Sequence, residues 1–329
     1  MRIRRFAAVV AGLSLVAAAA AAGQATADVQ GKPEPARNAA GRTAAQGPQA
    51  KAQAQAQTKA VAAACYAYYG GITADGLNGN YKVTATRPVG VTKYAPFKLF
   101  PGRASSSWYY WQPSPSVGYY AGFVLRAGNL YAGAETYYNG SNTPKTSSKV
   151  LGGGYGGFYS LTSANYYVPG TTKDHTFLYA LNTNGSLYRY RVNGPTGPVV
   201  AAGHAPGYNG FKAITVISES PTYDTLLATT KAGALWTVHL PVTAPLKGTL
   251  KAVRTTGFKA YDQLVASRCG NGTLLTAFDN TANTLTVYAM SKAVGSKTVI
   301  NTIGTAPATQ NAEAHFLYTG SGSDPMVGE

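Results

Sequence analysis

Acidic side chains are scarce in this chain, cysteines are nearly absent, and helical periodicity is missing after residue 65. Each shortage removes a class of protein. Asp and Glu number 12 against 28 Lys and Arg, and no Asp-x-Asp-x-Asp-Gly run occurs, which argues against a calcium-binding repeat. Two cysteines are too few for a zinc site. The four histidines, His175, His204, His239 and His315, lie at least 29 residues apart, without metal-ligand spacing. No nucleophile elbow is present. Gly152, Gly154 and Gly157 spell a dinucleotide fingerprint, but Phe158-Tyr159-Ser160-Leu161 continues as a strand, so no helix N-terminus follows to hold a pyrophosphate. No catalytic residue, metal ligand or cofactor is expected from these patterns.

What is present divides into three parts. Residues 1–27 read as a signal peptide: a basic head of Arg2, Arg4 and Arg5, an apolar stretch from Phe6 to Ala22, and a small-x-small cleavage site at Ala25-Thr26-Ala27. Export is expected, with the mature chain starting at Asp28, and no later stretch approaches a membrane span. Residues 28–64 are rich in Ala, Gln, Lys and Pro and poor in aromatics, the composition of a disordered spacer. Residues 65–329 hold all 24 tyrosines and all three tryptophans and form the folded domain. The formal charge is +16; the signal arginines and a net three positive charges in the spacer leave the domain at +10, a weak attraction toward anionic polymers. In an oxidising compartment Cys65 and Cys269 are expected to be bridged.

The domain repeats. Phe97, Phe158, Phe211, Phe258 and Phe316 recur at steps of 61, 53, 47 and 58 residues, each expected at the head of a strand. Between them runs a hairpin marker: Gly128-Asn129-Leu130-Tyr131, Gly185-Ser186-Leu187-Tyr188, Gly233-Ala234-Leu235-Trp236 and Ala282-Asn283-Thr284-Leu285. Asn78, Asn139, Asn184, Asn193, Asn209 and Asn271 are each followed by glycine, the dipeptide that relieves the positive φ of tight hairpins. The clearest unit has strands at 211–217, 225–230, 235–240 and 249–253. A period of this length means stacked units that cannot bury their apolar faces alone. The expected fold is all-β: a five-bladed β-propeller of four-stranded antiparallel blades. The segment around Phe316 completes a sheet begun by the N-terminal strands near Cys65–Tyr69 and Tyr81–Thr86, with the disulfide at that seam.

Leu151-Gly152-Gly153-Gly154-Tyr155-Gly156-Gly157-Phe158 and Gly207-Tyr208-Asn209-Gly210-Phe211-Lys212, with the hairpin half 177–188, resemble the repeat of tachylectin-like propeller lectins over about residues 90–290. The resemblance implies five blades that bind N-acetylated amino sugars in pockets between blades, without catalysis. Tyrosine stands at Tyr94, Tyr155 and Tyr208 where that family usually has tryptophan, and the aromatic is read as lost at Thr255 and Glu313.

Sugar recognition needs flat apolar faces for pyranose C–H groups and nearby amides for hydroxyls. Candidate ligand-binding residues are therefore Tyr94, Tyr155, Tyr208 and Asn209, with Trp108 and Trp111 from an aromatic strand. The expected function is a secreted, monomeric, lectin-like module acting on extracellular glycan or cell-wall polysaccharide, with repeated pockets giving avidity. Two alternatives stay open: a glycan hydrolase or lyase using carboxylates from different blades, and a non-catalytic scaffold for protein or polyanion, with Arg189 and Arg191 sharing one strand face.

Overall fold

The computed structural model describes residues 65–169, 172–194, 196–308, 311–319 and 325–329; the expected signal segment and spacer lie outside the described residues. The chain is all-β, with one turn of 3-10 helix, Gly295–Lys297, among the described residues. Strand β1 is Tyr66–Thr73, β2 Leu77–Thr84, β3 Gly90–Lys93, β4 Phe97–Lys98 and β5 Ala104–Ser105. Then come β6 Trp108–Ser114, β7 Val117–Arg126, β8 Asn129–Tyr138 and β9 Lys145–Gly152. β10 (Phe158–Tyr166), β11 (His175–Asn182), β12 (Ser186–Val192) and β13 (Val199–Pro206) form one four-stranded antiparallel sheet. β14 (Phe211–Glu219), β15 (Tyr223–Thr230), β16 (Leu235–Pro241) and β17 (Thr249–Arg254) form the next. β18 (Gln263–Cys269), β19 (Gly272–Asp279), β20 (Thr284–Met290) and β21 (Ile300–Pro307) form a third, and β22 is Ala312–Thr319.

The remaining strands make one mixed sheet in the order β3-β2-β1-β22-β6-β7-β8-β9, with β4 on β2 and β5 on β7. Here β22 pairs antiparallel with β1, so the last strand lies beside the first. On its other side β22 meets β6 in parallel over only two residue pairs, Tyr318 with Trp108 and Thr319 with Tyr109. β10 lies against β14, β14 against β18 and β18 against β22, while β22 and β10 both lie against β5.

Burial follows strand position. Second strands such as β15 and β19 are buried on both faces, whereas the fourth strands β9, β13, β17 and β21 are largely solvated. Sheets stacked face to face produce this gradient, because inner strands are covered on both sides and outer ones splay into water. The core is correspondingly divided: Phe177, Leu226 and Val238 fill the gap between the second and third sheets of the chain, and Leu227, Leu264 and Leu275 the next. Cys65 and Cys269 are bridged, with Cα atoms 5.7 Å apart, tying the residue ahead of β1 to the end of β18.

One tie recurs five times. The residue entering each unit donates its backbone N–H to the turn residue between the second and third strands of the preceding unit. The pairs are Leu99 to Gly76, Tyr155 to Gly128, Tyr208 to Gly185, Phe258 to Gly233 and Ala308 to Asn283, at 2.7–2.9 Å. The turn residue has positive φ in every case, from +51° at Asn283 to +93° at Gly233. This pattern corrects the sequence register. Phe158 and Phe211 do head strands, but Phe97 heads only the two-residue β4, Phe258 lies in the turn before β18, and Phe316 is inside β22. The position held by Tyr155 and Tyr208 is held by Phe258 ahead of β18, not by Thr255, and by Leu99 ahead of β5, not by Tyr94.

Candidate functional site

The far ends of β10, β14, β18 and β22 converge with β6 on a cavity of about 390 Å³. Each strand brings its terminal residues to the wall: Asn165 from β10, Glu219 from β14, Arg268 from β18 and Tyr318 from β22. Glu219 accepts the backbone N–H of Asn165 at 2.7 Å and that of Met326 at 3.1 Å. Glu219 is partly exposed along the cavity, yet desolvation pushes its carboxyl up to about 7 despite those two hydrogen bonds. Tyr109, also in the wall, donates to the Ser163 carbonyl at 3.0 Å, and burial raises its phenol well above the usual range.

The rim is aromatic. Tyr66 and Tyr68 alternate on the exposed face of β1 and line the cavity, and Tyr94 lies 6.3 Å from Tyr68, ring to ring. These three rings are 51%, 40% and 45% exposed, although aromatic rings otherwise favour burial. The Lys82 ammonium sits 4.2 Å from the Tyr66 centroid and 5.8 Å from that of Tyr68. Such an assembly offers flat apolar faces beside amide, carboxyl, guanidinium and hydroxyl groups, the mixture that polyhydroxylated rings require.

The six residues singled out from the sequence are dispersed. Tyr94 joins the rim. Trp111 is exposed and meets Tyr119 edge-on at 6.2 Å. Trp108 is fully buried, stacked on Phe316 at 5.0 Å, and its indole N–H donates to Ser105 Oγ at 2.9 Å. Tyr208 is buried against Phe211 at 5.3 Å, and Tyr155 is half-buried between Phe158 and Tyr190. Asn209 is exposed on the turn beside Tyr208, and its carbonyl accepts from Lys231. Tyr66, Tyr68, Asn165 and Glu219 were missed, since they meet only when separate units assemble; the alternation of Tyr66 and Tyr68 was the one local signal.

The interfaces between sheets are not equivalent. Between the β10–β13 and β14–β17 sheets lies a cleft of about 880 Å³. Between the β14–β17 and β18–β21 sheets, Pro325–Glu329 runs along β14: Val327 bridges Ser218, and Gly328 N–H donates to Ile217 O at 2.7 Å. At the interface of β2, β8 and β22, Glu135 is fully buried and accepts from Tyr318 at 2.7 Å and Tyr137 at 3.0 Å. Among the described residues no group of three or more metal-ligating side chains is found, and no helix is long and apolar enough to cross a membrane.

No family model matches the sequence, and no curated protein matches it. Solved structures do show likeness. SapL1 lectin, in complex with alpha methyl fucoside, is 12% identical with a TM-score of 0.39, covering 74% of this chain and 81% of that one. BBS1N in complex with ARL6DN is 12% identical with a TM-score of 0.35, covering 77% and 86%. Sqt1 from Chaetomium thermophilum is 12% identical with a TM-score of 0.28, covering 56% and 42%.

Proposed function

We propose that the chain is an exported, five-bladed β-propeller that binds carbohydrate non-catalytically, with the aromatic rim as a principal contact. Support for five blades comes from the five repeated ties and from the cyclic order of neighbours β5, β10, β14, β18 and β22. Dividing the mixed sheet at its two-pair parallel contact yields two further four-stranded units, β22-β1-β2-β3 and β6-β7-β8-β9. Export is in keeping with the disulfide, which persists in oxidising compartments.

The observation that carries glycan binding is the set of exposed rings, Tyr66, Tyr68 and Tyr94, beside a largely apolar cavity that also holds Asn165, Glu219 and Arg268. Sequence resemblance to tachylectin-like lectins adds N-acetylated amino sugars as the first class to try. Glu219 is the carboxylate lining this cavity among the described residues, and backbone N–H groups hold it. A hydrolase would need a second carboxyl across the scissile bond.

The test is retention on an immobilised N-acetylglucosamine polymer. The wild-type chain is expected to be retained and released by free sugar, and Tyr68→Ala to weaken retention without lowering the melting temperature. Elution by salt alone, indifferent to free sugar, would instead mark a polyanion-binding scaffold, and progressive shortening of the polymer would mark an enzyme.

A further inference from the structure

The cleft between the β10–β13 and β14–β17 sheets has an internal template in the neighbouring interface. Strand register aligns the two. Thr225 pairs with His239 in one sheet as Phe177 pairs with Arg191 in the other, and Leu227 pairs with Thr237 as Tyr179 pairs with Arg189. Arg191 therefore stands where His239 stands, one interface along. At the filled interface His239 Nδ1 lies 2.6 Å from Glu329 Oε2, and the Thr225 hydroxyl donates to the same oxygen. The chain thus places a carboxylate at the location that Arg191 faces in the open cleft.

The open cleft is built for negative charge. Lys173, Arg189 and Arg191 line it, with Asp174 as the acidic side chain in its wall. Both guanidiniums lie over one ring, Phe177, at 4.6 Å and 5.4 Å from its centroid. Neither forms an ion pair among the described residues. Arg189 is 2% exposed; it donates to the carbonyls of Pro241, Ala202 and Thr243, but its Nε has no partner. His175, buried in the same wall, bonds Asp224 at 2.9 Å through Nε2 and leaves Nδ1 without a partner. Two cations share one ring with neither in an ion pair, and although the buried Asp224 carboxylate lies behind Tyr179, where it accepts the phenol at 2.8 Å, an anion placed between the guanidiniums relieves their mutual repulsion.

The template itself is a peptide, yet the open cleft does not offer a peptide its strand edge. Met326–Gly328 docks through Glu219 N–H and Ile217 O on β14. The β10 counterpart of Glu219 is Asn165, whose N–H is already taken by the Glu219 carboxylate and whose Oδ1 accepts from Thr176. Recognition there falls to side chains, which suits a ring-borne carboxylate.

We propose that this cleft is a second binding site, selective for the carboxylate of an acidic sugar such as a uronic acid, with Arg191 as its principal ligand. The inference rests on the glycan-binding reading for the class of ligand, not for the charge.

The experiment is calorimetric titration of the full chain with an oligogalacturonate, an N-acetylglucosamine oligomer, and a pentapeptide with the sequence of residues 325–329. Oligogalacturonate is expected to bind the wild-type chain, and Arg191→Ala to weaken it roughly ten-fold or more. Binding of the neutral oligomer should be unchanged in that variant. Lys173→Ala, on a partly different part of the wall, is expected to weaken the acidic oligomer more modestly, so the test does not depend on one substitution. No binding of oligogalacturonate by the wild-type chain, or equal binding by Arg191→Ala, overturns the proposal. So does displacement of oligogalacturonate by the pentapeptide with a tighter affinity, which would make the cleft a peptide site. Failure of the neutral oligomer alone, with the acidic one still bound through Arg191, overturns the rim as a neutral-sugar site and leaves the cleft standing.

Discussion

The backbone N–H of Phe258 donates to the carbonyl of Gly233 at 2.9 Å, and this bond ties the entry turn of β18 to the β15–β16 hairpin. Gly233 has a φ of +93°, and a Cβ built on it would meet the Lys259 backbone nitrogen at 2.9 Å. Both the backbone conformation and the close approach of the next unit's entry turn demand glycine. Gly233→Ala is expected to destabilise by about 1–3 kcal/mol, read from chemical denaturation. Gly210→Ala is the control: a Cβ built there meets no atom within 4 Å and the residue has no positive φ, so the change should cost far less.

That register also shows what could be read from the residues. Strands within a unit were legible because alternation and hairpin glycines act locally; the unit expected at 211–253 has its four strands in place at β14–β17. Pairing of β1 with β22 was legible because the N-terminal strands and the segment around Phe316 each fall short of a four-stranded unit alone. The phase of the repeat was not. Phe258 resembles a strand head because the counterpart of Phe211 is Tyr261, an aromatic of similar size three residues on and two before β18, whose N–H closes the turn on Phe258 as that of Phe211 does on Tyr208. The rim was illegible for a different reason. Tyr66, Glu219 and Arg268 are brought together by packing between sheets, and no spacing along the chain encodes that.

The seam gives a second prediction. A bridge between Cys65 and Cys269 closes a separation of 204 residues and joins the first unit to the last complete sheet. The double replacement Cys65→Ser, Cys269→Ser is expected to cost a few kcal/mol, as loops of this length do when opened. Thermal melting with and without reductant checks it: the wild-type chain should shift downward on reduction and the variant should not respond. Equal melting temperatures for both proteins would show that the bridge clamps nothing.

Trp108 and Trp111, three residues apart on one strand, should behave as opposites. Trp108 lies between Gly122 and Gly133, at both of which a Cβ would strike its ring, and it stacks on Phe316 from β22. Trp108→Ala removes the ring stack between β6 and β22, leaving only their two-pair backbone contact, and is expected to cost about 3–5 kcal/mol. Trp111, 54% exposed, should cost no more than about 0.5 kcal/mol on the same change. Denaturation midpoints separate the two, and any loss of sugar retention by Trp111→Ala could then be assigned to contact rather than to folding.

Buried carboxyls make stability fall on the alkaline side of acidity, opposite to the usual pattern. Glu135 sits at 0% exposure; burial pushes its carboxyl up to about 7, and hydrogen bonds from Tyr318 and Tyr137 only partly oppose that. Its ordinary value is 4.5, so between pH 4.5 and 7 the folded chain holds a proton that the unfolded chain releases. The contribution of this group to stability is therefore present below about pH 4.5 and lost as pH rises through 7. Glu219, also pushed up to about 7, acts with the same sign. His315 acts with the other: buried against Phe278 at 3.7 Å, it is held down to about 3, so stability falls as pH drops below 6.5. Comparing the wild-type chain with Glu135→Gln cancels the contributions of Glu219 and His315. Glutamine keeps an acceptor for Tyr318 but cannot ionise, so the variant should gain on the wild-type chain steadily from pH 4.5 to pH 7.5, by a few kcal/mol at most. Denaturant midpoints at those two pH values decide it: a constant difference would mean that Glu135 is already ionised in the folded chain at pH 4.5, held so by the two tyrosine hydroxyls.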